Sequence, residues 1–228
     1  MTLPARHKRG PWELLGHDSI QWDQIANYLG WDKETLANFG HEFNIPLQRW
    51  DHMHMKGSIN YMDCIALYSI IRYAKPIDIL ELGCFVGTST FMLLEAMKAN
   101  ALPDAHITSV DIKPLGETWT VHGERKYRSE AVQGVPESLI TQVVSDATSY
   151  IDRLPDNSVD FIFEDTNHTY ESTRDIASAA RLKLRSSGII VFHDSTIPEM
   201  VHGFKDAGVY DNMIVTQPHS PLGIWRKP

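Results

Sequence analysis

Short runs of apolar, mostly β-branched residues recur along the last two thirds of the chain, at Ile77–Leu82, Ile107–Val110, Ile140–Val144, Val159–Phe163 and Ile189–Phe192. Each run is mostly apolar or β-branched, the pattern of strands buried in a parallel sheet. Between them lie stretches with helical character, Thr88–Ala99, Ala147–Leu154 and Tyr170–Leu184. The last carries apolar or small residues at Ile176, Ala179, Ala180, Leu182 and Leu184 and stops at Ser186-Ser187-Gly188, which suits a helix C-terminus. This alternation predicts a doubly wound sheet with ligands bound beyond the strand C-termini. A helix near Glu199–Asp206, a strand at Met213–Thr216 and a final Leu222–Trp225 run follow. The link Gln217-Pro-His-Ser-Pro221 fits a hairpin better than a crossover helix, so the last two strands should be antiparallel.

The first 75 residues have another character. They hold Trp12, Trp22, Trp31 and Trp50 and read as short helices with polar breaks, the clearest being Met62–Tyr73 before Lys75-Pro76. Two uses fit such a segment: a helical extension packed on the sheet, or an aromatic lid or dimer contact. A homo-oligomer is therefore one expectation. The stretch Lys113–Val135, poor in apolar runs and containing Gly116, Gly123 and Gly134, reads as a long loop or lid.

Composition narrows the function classes. A length of 228 residues suits one α/β domain with an accessory segment. A formal net charge of -8 speaks against a general nucleic-acid binder, which needs a basic footprint. The basic residues near the N-terminus are not followed by an apolar run, and no segment reaches the roughly 20 apolar residues of a membrane span. A soluble, cytoplasmic protein without membrane or nucleic-acid partners is expected. Cys64 and Cys84, far apart in apolar segments, read as buried free thiols.

The candidate chemistry begins at Glu81-Leu-Gly83-Cys-Phe-Val-Gly87-Thr88-Ser89, where a strand passes through a glycine turn into a helix. Such a turn brings backbone N–H groups up to a ligand at a positive helix end. The spacing is neither that of dinucleotide folds nor that of P-loops, and no lysine follows Gly87. The pattern Glu-x-Gly-x-x-x-Gly resembles the first motif of the class I S-adenosylmethionine-dependent methyltransferases. That resemblance implies that Glu81, Gly83 and Gly87, with Thr88 and Ser89 at the helix start, hold the amino-acid end and ribose of the cofactor. It also implies a Rossmann-like, seven-stranded α/β sheet of order 3-2-1-4-5-7-6 with the last strand antiparallel. This sheet would fill residues 76–228, with residues 1–75 as the N-terminal helical extension. Asp111, at the end of the second strand, is placed to accept from the ribose hydroxyls, or else caps a surface turn. Ser145 and Asp146 end the third strand. In the family this position meets adenine, while a helix N-cap explains the same residues.

Two neighbouring strand ends carry Asp165-Thr-Asn-His168-Thr-Tyr170 and His193-Asp194. Oxygen and nitrogen ligands from adjacent strands can hold one divalent cation: carboxylates suit Mg²⁺, and a histidine admits Mn²⁺, Fe²⁺ or Zn²⁺. The segment from Asp165 to Asp194 resembles the macrocin-type sugar O-methyltransferases and cephalosporin-hydroxylase-like proteins, and more distantly the catechol O-methyltransferases. Carried over, the resemblance makes Asp165, His193 and Asp194 metal ligands, sets Asp165 against the cofactor as well, and makes His168 the base that deprotonates a substrate hydroxyl. Asp51-His52-Met-His54 also invites a metal reading, but a lone His-x-His is poorly arranged for one ion. The expected function is methyl transfer from S-adenosylmethionine to a hydroxyl of a small-molecule metabolite. The alternatives are a metal-dependent hydrolase built on the Asp/His cluster, and a cofactor-binding protein that methylates N or C or no longer transfers methyl.

Overall fold

The computed structural model describes residues 20–43, 58–113, 118–121, 124–127, 135–216 and 221–228. Three helices come first: α1 (Trp22–Leu29), α2 (Lys33–Glu42) and α3 (Tyr61–Ala74). The sheet then winds as β1 (Asp78–Leu82), α4 (Thr88–Asn100), β2 (His106–Asp111), a hairpin β3 (Thr118–Val121) and β4 (Glu124–Tyr127), β5 (Ile140–Val144), α5 (Ala147–Asp152) and β6 (Val159–Glu164). It closes with α6 (Tyr170–Lys183), β7 (Leu184–Phe192), α7 (Pro198–Asp206), β8 (Met213–Val215) and β9 (Gly223–Arg226). The main sheet runs β5-β2-β1-β6-β7-β9-β8, which is 3-2-1-4-5-7-6 among its own seven strands. Only β9 runs against its neighbours.

Strand register sorts the side chains into two cores. Ile107, Ile79, Phe161 and Ile189 form one row across four strands and face α3 and α4. Leu80, Ile162 and Ile190 form the next row and face α5, α6 and α7. Both faces of the central strands are covered, which is why Ile189–Phe192 is apolar without a break, while edge strand β5 carries Thr141 and Gln142. Helix α3 is buried along its whole middle, Cys64 to Ile71, because it lies within the first core beside α4.

The N-terminal helices are integral to this packing. Trp22 is buried in the first core and Trp31 stacks on Tyr73 with ring centroids 4.4 Å apart. Trp12 and Trp50 lie outside the described residues. Helix α1 packs against edge strand β8, where Gln24 donates to Val215 O, and its Tyr28 hydroxyl accepts from Arg226 N of β9. An edge strand covered in this way is protected from pairing with another chain.

Two sequence expectations need correction. The stretch after Lys113 is not strand-free: β3 and β4 pair antiparallel within it, Thr118–Val121 being rich in β-formers. And Ser186-Ser187-Gly188 is not a loop after a helix. Helix α6 ends at Lys183, β7 starts at Leu184, and the three residues form an irregularity inside the strand, with the register shifting between Val159 and Phe161. Ser187 takes φ +65° there.

Candidate active site

The C-terminal ends of β1, β2, β6 and β7 form one rim. At its centre the turn after β1 crosses the turn after β6. Gly83 has φ +81°, and a Cβ there would stand 2.2 Å from the carbonyl oxygen of Asp165. Only glycine permits this approach, so the motif glycine is required by the contact between two loops as well as by its own backbone. Phe85 and Gly87 are also left-handed, and Gly87 caps α4.

Glu81 lies in the row of Ser109 and Phe163, facing the start of α4. It is fully buried and accepts from the hydroxyls of Ser89 (2.6 Å), Thr90 (2.7 Å) and Ser109 (2.5 Å). Three such bonds compensate the several kcal/mol that an unpaired buried carboxylate would cost. Glu81, on β1, thus clamps the first turn of α4 to β2 and fixes the glycine turn between β1 and α4. Thr88 and Ser89 are buried in that same helical turn.

Asp111 ties the turns after β1 and β2 together. Its Oδ2 accepts from Cys84 N (3.1 Å) and Phe85 N (2.9 Å), and its Oδ1 from Lys113 N (3.0 Å). Each carboxylate oxygen has two lone pairs, so these bonds leave acceptor capacity for a ligand hydroxyl. Beside it stand two large apolar side chains that no sequence motif marks, Ile112 (68% exposed) and Val144 (57% exposed), the latter paired with Asp111 across β2 and β5. Asp146 caps α5, its Oδ1 accepting from Ser149 N at 2.8 Å, while Ser145 Oγ accepts from Arg153 Nη2 at 3.1 Å.

The Asp/His cluster forms where β6 and β7 end. His168 Nε2 is 3.2 Å and His193 Nδ1 3.1 Å from the same oxygen, Oδ1 of Asp165. Asp194 stands next to them, its Oδ2 3.5 Å from His193 Nδ1. His168 and Asp194 both hold positive φ, +54° and +51°, a strained backbone that surrounding structure must enforce. Among the described residues, the metal-ligating atoms that gather within 4.8 Å of one another are those of Asp165, His168 and His193. One carboxylate and two imidazoles, with Asp194 beside them, fit a divalent cation of the first transition row as well as Mg²⁺. Asp51, His52 and His54 lie outside the described residues.

A further member comes from the N-terminal helices. Asp63, buried in the first turn of α3, places Oδ2 3.3 Å from His193 Nε2. Its backbone is held by Asn60, which caps α3 and accepts from Met62 N and Asp63 N. Its only signal in the sequence is a lone acid at the head of an apolar run. The cluster's electrostatics follow from these contacts. Burial works against the charged ring of His193, but Asp165 and Asp63, with Asp194 nearby, outweigh it and push its pKa up to about 11. Burial likewise works against the Asp165 carboxylate, and the two histidines override it, lowering its pKa to about 2. The hydrogen bond to Asp165 raises His168. Glu164, buried just before the cluster, accepts from Thr166 N and is raised by burial.

Comparisons with known proteins identify the family and the fold. The model of a methyltransferase domain family matches residues 80–195, which span the glycine turn, Asp111, Asp165, His168, His193 and Asp194. No curated protein sequence matches the chain significantly. Among solved structures, a Podospora anserina methyltransferase bound to S-adenosylhomocysteine superposes over 99% of this chain and 100% of its own, with 14% identity and a TM-score of 0.53. The O-methyltransferase TomG of Streptomyces achromogenes, which takes part in tomaymycin synthesis and was solved with S-adenosylmethionine, covers 96% of this chain and 100% of its own at 15% identity and a TM-score of 0.53. A Geobacter sulfurreducens methyltransferase covers 90% and 96% at 12% identity and a TM-score of 0.54. With the family matched over half its length, this chain belongs to the methyltransferase domain family, on the fold of the class I S-adenosylmethionine-dependent enzymes.

Proposed function

We propose that this methyltransferase transfers methyl to a hydroxyl group of a small-molecule metabolite, with His168 as the base and a divalent cation at the Asp165 rim. The observation that carries this reading is the contact between the two loops at Gly83. The turn that serves the cofactor and the turn that bears Asp165 and His168 touch, so a methyl donor and a base would be held side by side. Relatives in fold that are O-methyltransferases, TomG among them, support the choice of oxygen as acceptor.

Each residue has a definable task. Asp111 accepts from the ribose hydroxyls while keeping the glycine turn in place. Ile112 and Val144 offer an apolar ledge beside it for the flat adenine ring. Asp165 accepts from His168 Nε2, which leaves Nδ1 of that ring as the nitrogen able to take a proton. A bound cation, held by Asp165 with His193 and Asp194, would lower the acceptor hydroxyl's pKa and keep the neighbouring imidazole neutral. Methyl transfer is an in-line displacement, and fixing its partners in line supplies much of the rate.

The test is transfer of isotope-labelled methyl from S-adenosylmethionine to a panel of phenols, catechols and sugar hydroxyls, with products read by mass spectrometry. The expected product is a methyl ether whose formation falls about 10²-fold in His168→Ala. Methylation of nitrogen or carbon acceptors alone, or full turnover by folded His168→Ala, would overturn the reading.

A further inference from the structure

His193 reaches the rim from β7, yet the group that holds its far nitrogen comes from a helix 130 positions earlier in the chain. Asp63 and His193 are both buried, with side chains 6% and 7% exposed, so water does not compete for this contact. The bond is directional. Nε2 of His193 faces Asp63, and Nδ1 faces the oxygen of Asp165 that His168 also approaches. Without a cation both ring nitrogens face carboxylates; once a cation displaces the Nδ1 proton, a ring whose Nε2–H stays bound to a buried carboxylate offers its Nδ1 lone pair to that cation. This is the arrangement by which a carboxylate behind a metal-bound histidine sets the ring's tautomer and strengthens it as a donor. Asp63 is itself fixed: Asn60 caps the helix, and α3 is embedded in the core from Cys64 onward.

We propose that Asp63 is a positioning residue for the cation site: by holding Nε2 of His193 it presents Nδ1 toward Asp165, which makes helix α3 part of that site. The inference rests on the cation assigned to the Asp165 rim above. It gives the N-terminal helices a role in the chemistry, and it makes an imidazole nitrogen a ligand. A site with that ligand should bind Mn²⁺ more tightly than Mg²⁺, because imidazole suits transition ions better than hard oxygen-seeking ones.

The experiment is calorimetric titration of Mn²⁺, and separately of Mg²⁺, into the full chain saturated with S-adenosylhomocysteine. Electron paramagnetic resonance counts free Mn²⁺ in parallel. Asp63→Asn keeps an acceptor and should weaken Mn²⁺ about 10-fold; Asp63→Leu removes it and should weaken Mn²⁺ about 100-fold. S-adenosylhomocysteine affinity should stay within about twofold in both, which a general loss of structure would not allow. Equal Mn²⁺ binding by wild type and Asp63→Leu overturns the inference and leaves the proposed function standing. A parallel fall of Mn²⁺ and S-adenosylhomocysteine affinity in Asp63→Asn also overturns it, because the role would then be structural. No Mn²⁺ or Mg²⁺ binding by the wild type overturns both the inference and the cation in the proposed function, while methyl transfer itself would still be tested by its product.

Discussion

Gly83→Ala adds one methyl group where the two central loops cross, and the structure separates its two costs. The first is backbone strain: at φ +81° a residue with a Cβ pays roughly 1–2 kcal/mol. The second is collision. The new Cβ would stand 2.2 Å from Asp165 O, 2.8 Å from Asp165 C and 3.2 Å from Thr166 N, whereas ordinary contacts begin at 3.4 Å. The neighbours are backbone atoms and cannot rotate away, so the loops must part by about 1 Å, an overpacking cost of about 1–3 kcal/mol. Gly30→Ala supplies the control: Gly30 has φ +69°, and nothing lies within 4 Å of where its added methyl would stand, so it carries the strain alone. At about 2–4 °C per kcal/mol for a chain of this size, Gly30→Ala should lower Tm by a few degrees and Gly83→Ala by roughly 5–15 °C. Thermal unfolding of both variants, with calorimetry of S-adenosylhomocysteine, reads the difference. Separating the loops should also weaken cofactor binding at least about 10-fold, since misplacement of this size is costly at a preorganised site. A Gly83→Ala protein no less stable than Gly30→Ala and with normal cofactor affinity would refute the claim that the loop contact builds the site.

Three further outcomes follow from the same geometry. Glu81→Gln should cost about 2–3 kcal/mol in urea unfolding, because the amide nitrogen must face a hydroxyl that donates in the wild type; unchanged stability would mean that the three hydroxyls reorient freely. Ile112→Asp, at a 68% exposed position, should leave Tm nearly unchanged and weaken S-adenosylhomocysteine about 10-fold or more, whereas unchanged affinity would remove Ile112 from the cofactor cleft. In cation-free protein, His193 faces Asp63, Asp165 and Asp194 and its pKa stands at about 11 against 6.5 for the free ring. A raised value stabilises the fold fully below about pH 6.5 and loses that contribution as pH climbs toward 11. The Tm advantage of wild type over His193→Asn should therefore narrow between pH 6 and pH 10, and a constant gap would contradict the double carboxylate clamp.

The sheet is readable in the sequence because buried parallel strands leave apolar, β-branched runs, unbroken at Ile189–Phe192, and at Ile140–Val144 the expected run and the strand coincide to the residue. The hairpin signal at Gln217–Pro221 likewise announces the antiparallel end of the sheet. Ser186-Ser187-Gly188 misleads because a bulge and a loop use the same residue types, and only pairing with β6 tells them apart. At the rim, Asp165, His168 and His193 are legible because each follows closely on an apolar strand. Asp146 admits two readings at one position, and the structure displays the cap. Asp63 and Ile112 are harder. Asp63 acts across 130 positions, a separation no local pattern carries. Ile112 stands out for being apolar and exposed, and sequence alone cannot report exposure. Glu81 is legible as part of the glycine turn's motif, while its three internal hydroxyl partners depend on a strand register that spacing does not reveal.

That the rim around Gly83 and Asp111 binds the methyl donor underlies every step above. Calorimetric titration of S-adenosylhomocysteine into the wild-type chain and into Asp111→Ala tests it most directly. The expected result is saturable binding by the wild type, weakened about 100-fold or lost in Asp111→Ala, where both the ribose acceptor and the anchor of the glycine turn are gone. Absence of binding by folded wild-type protein, or equal binding by the two, would contradict it.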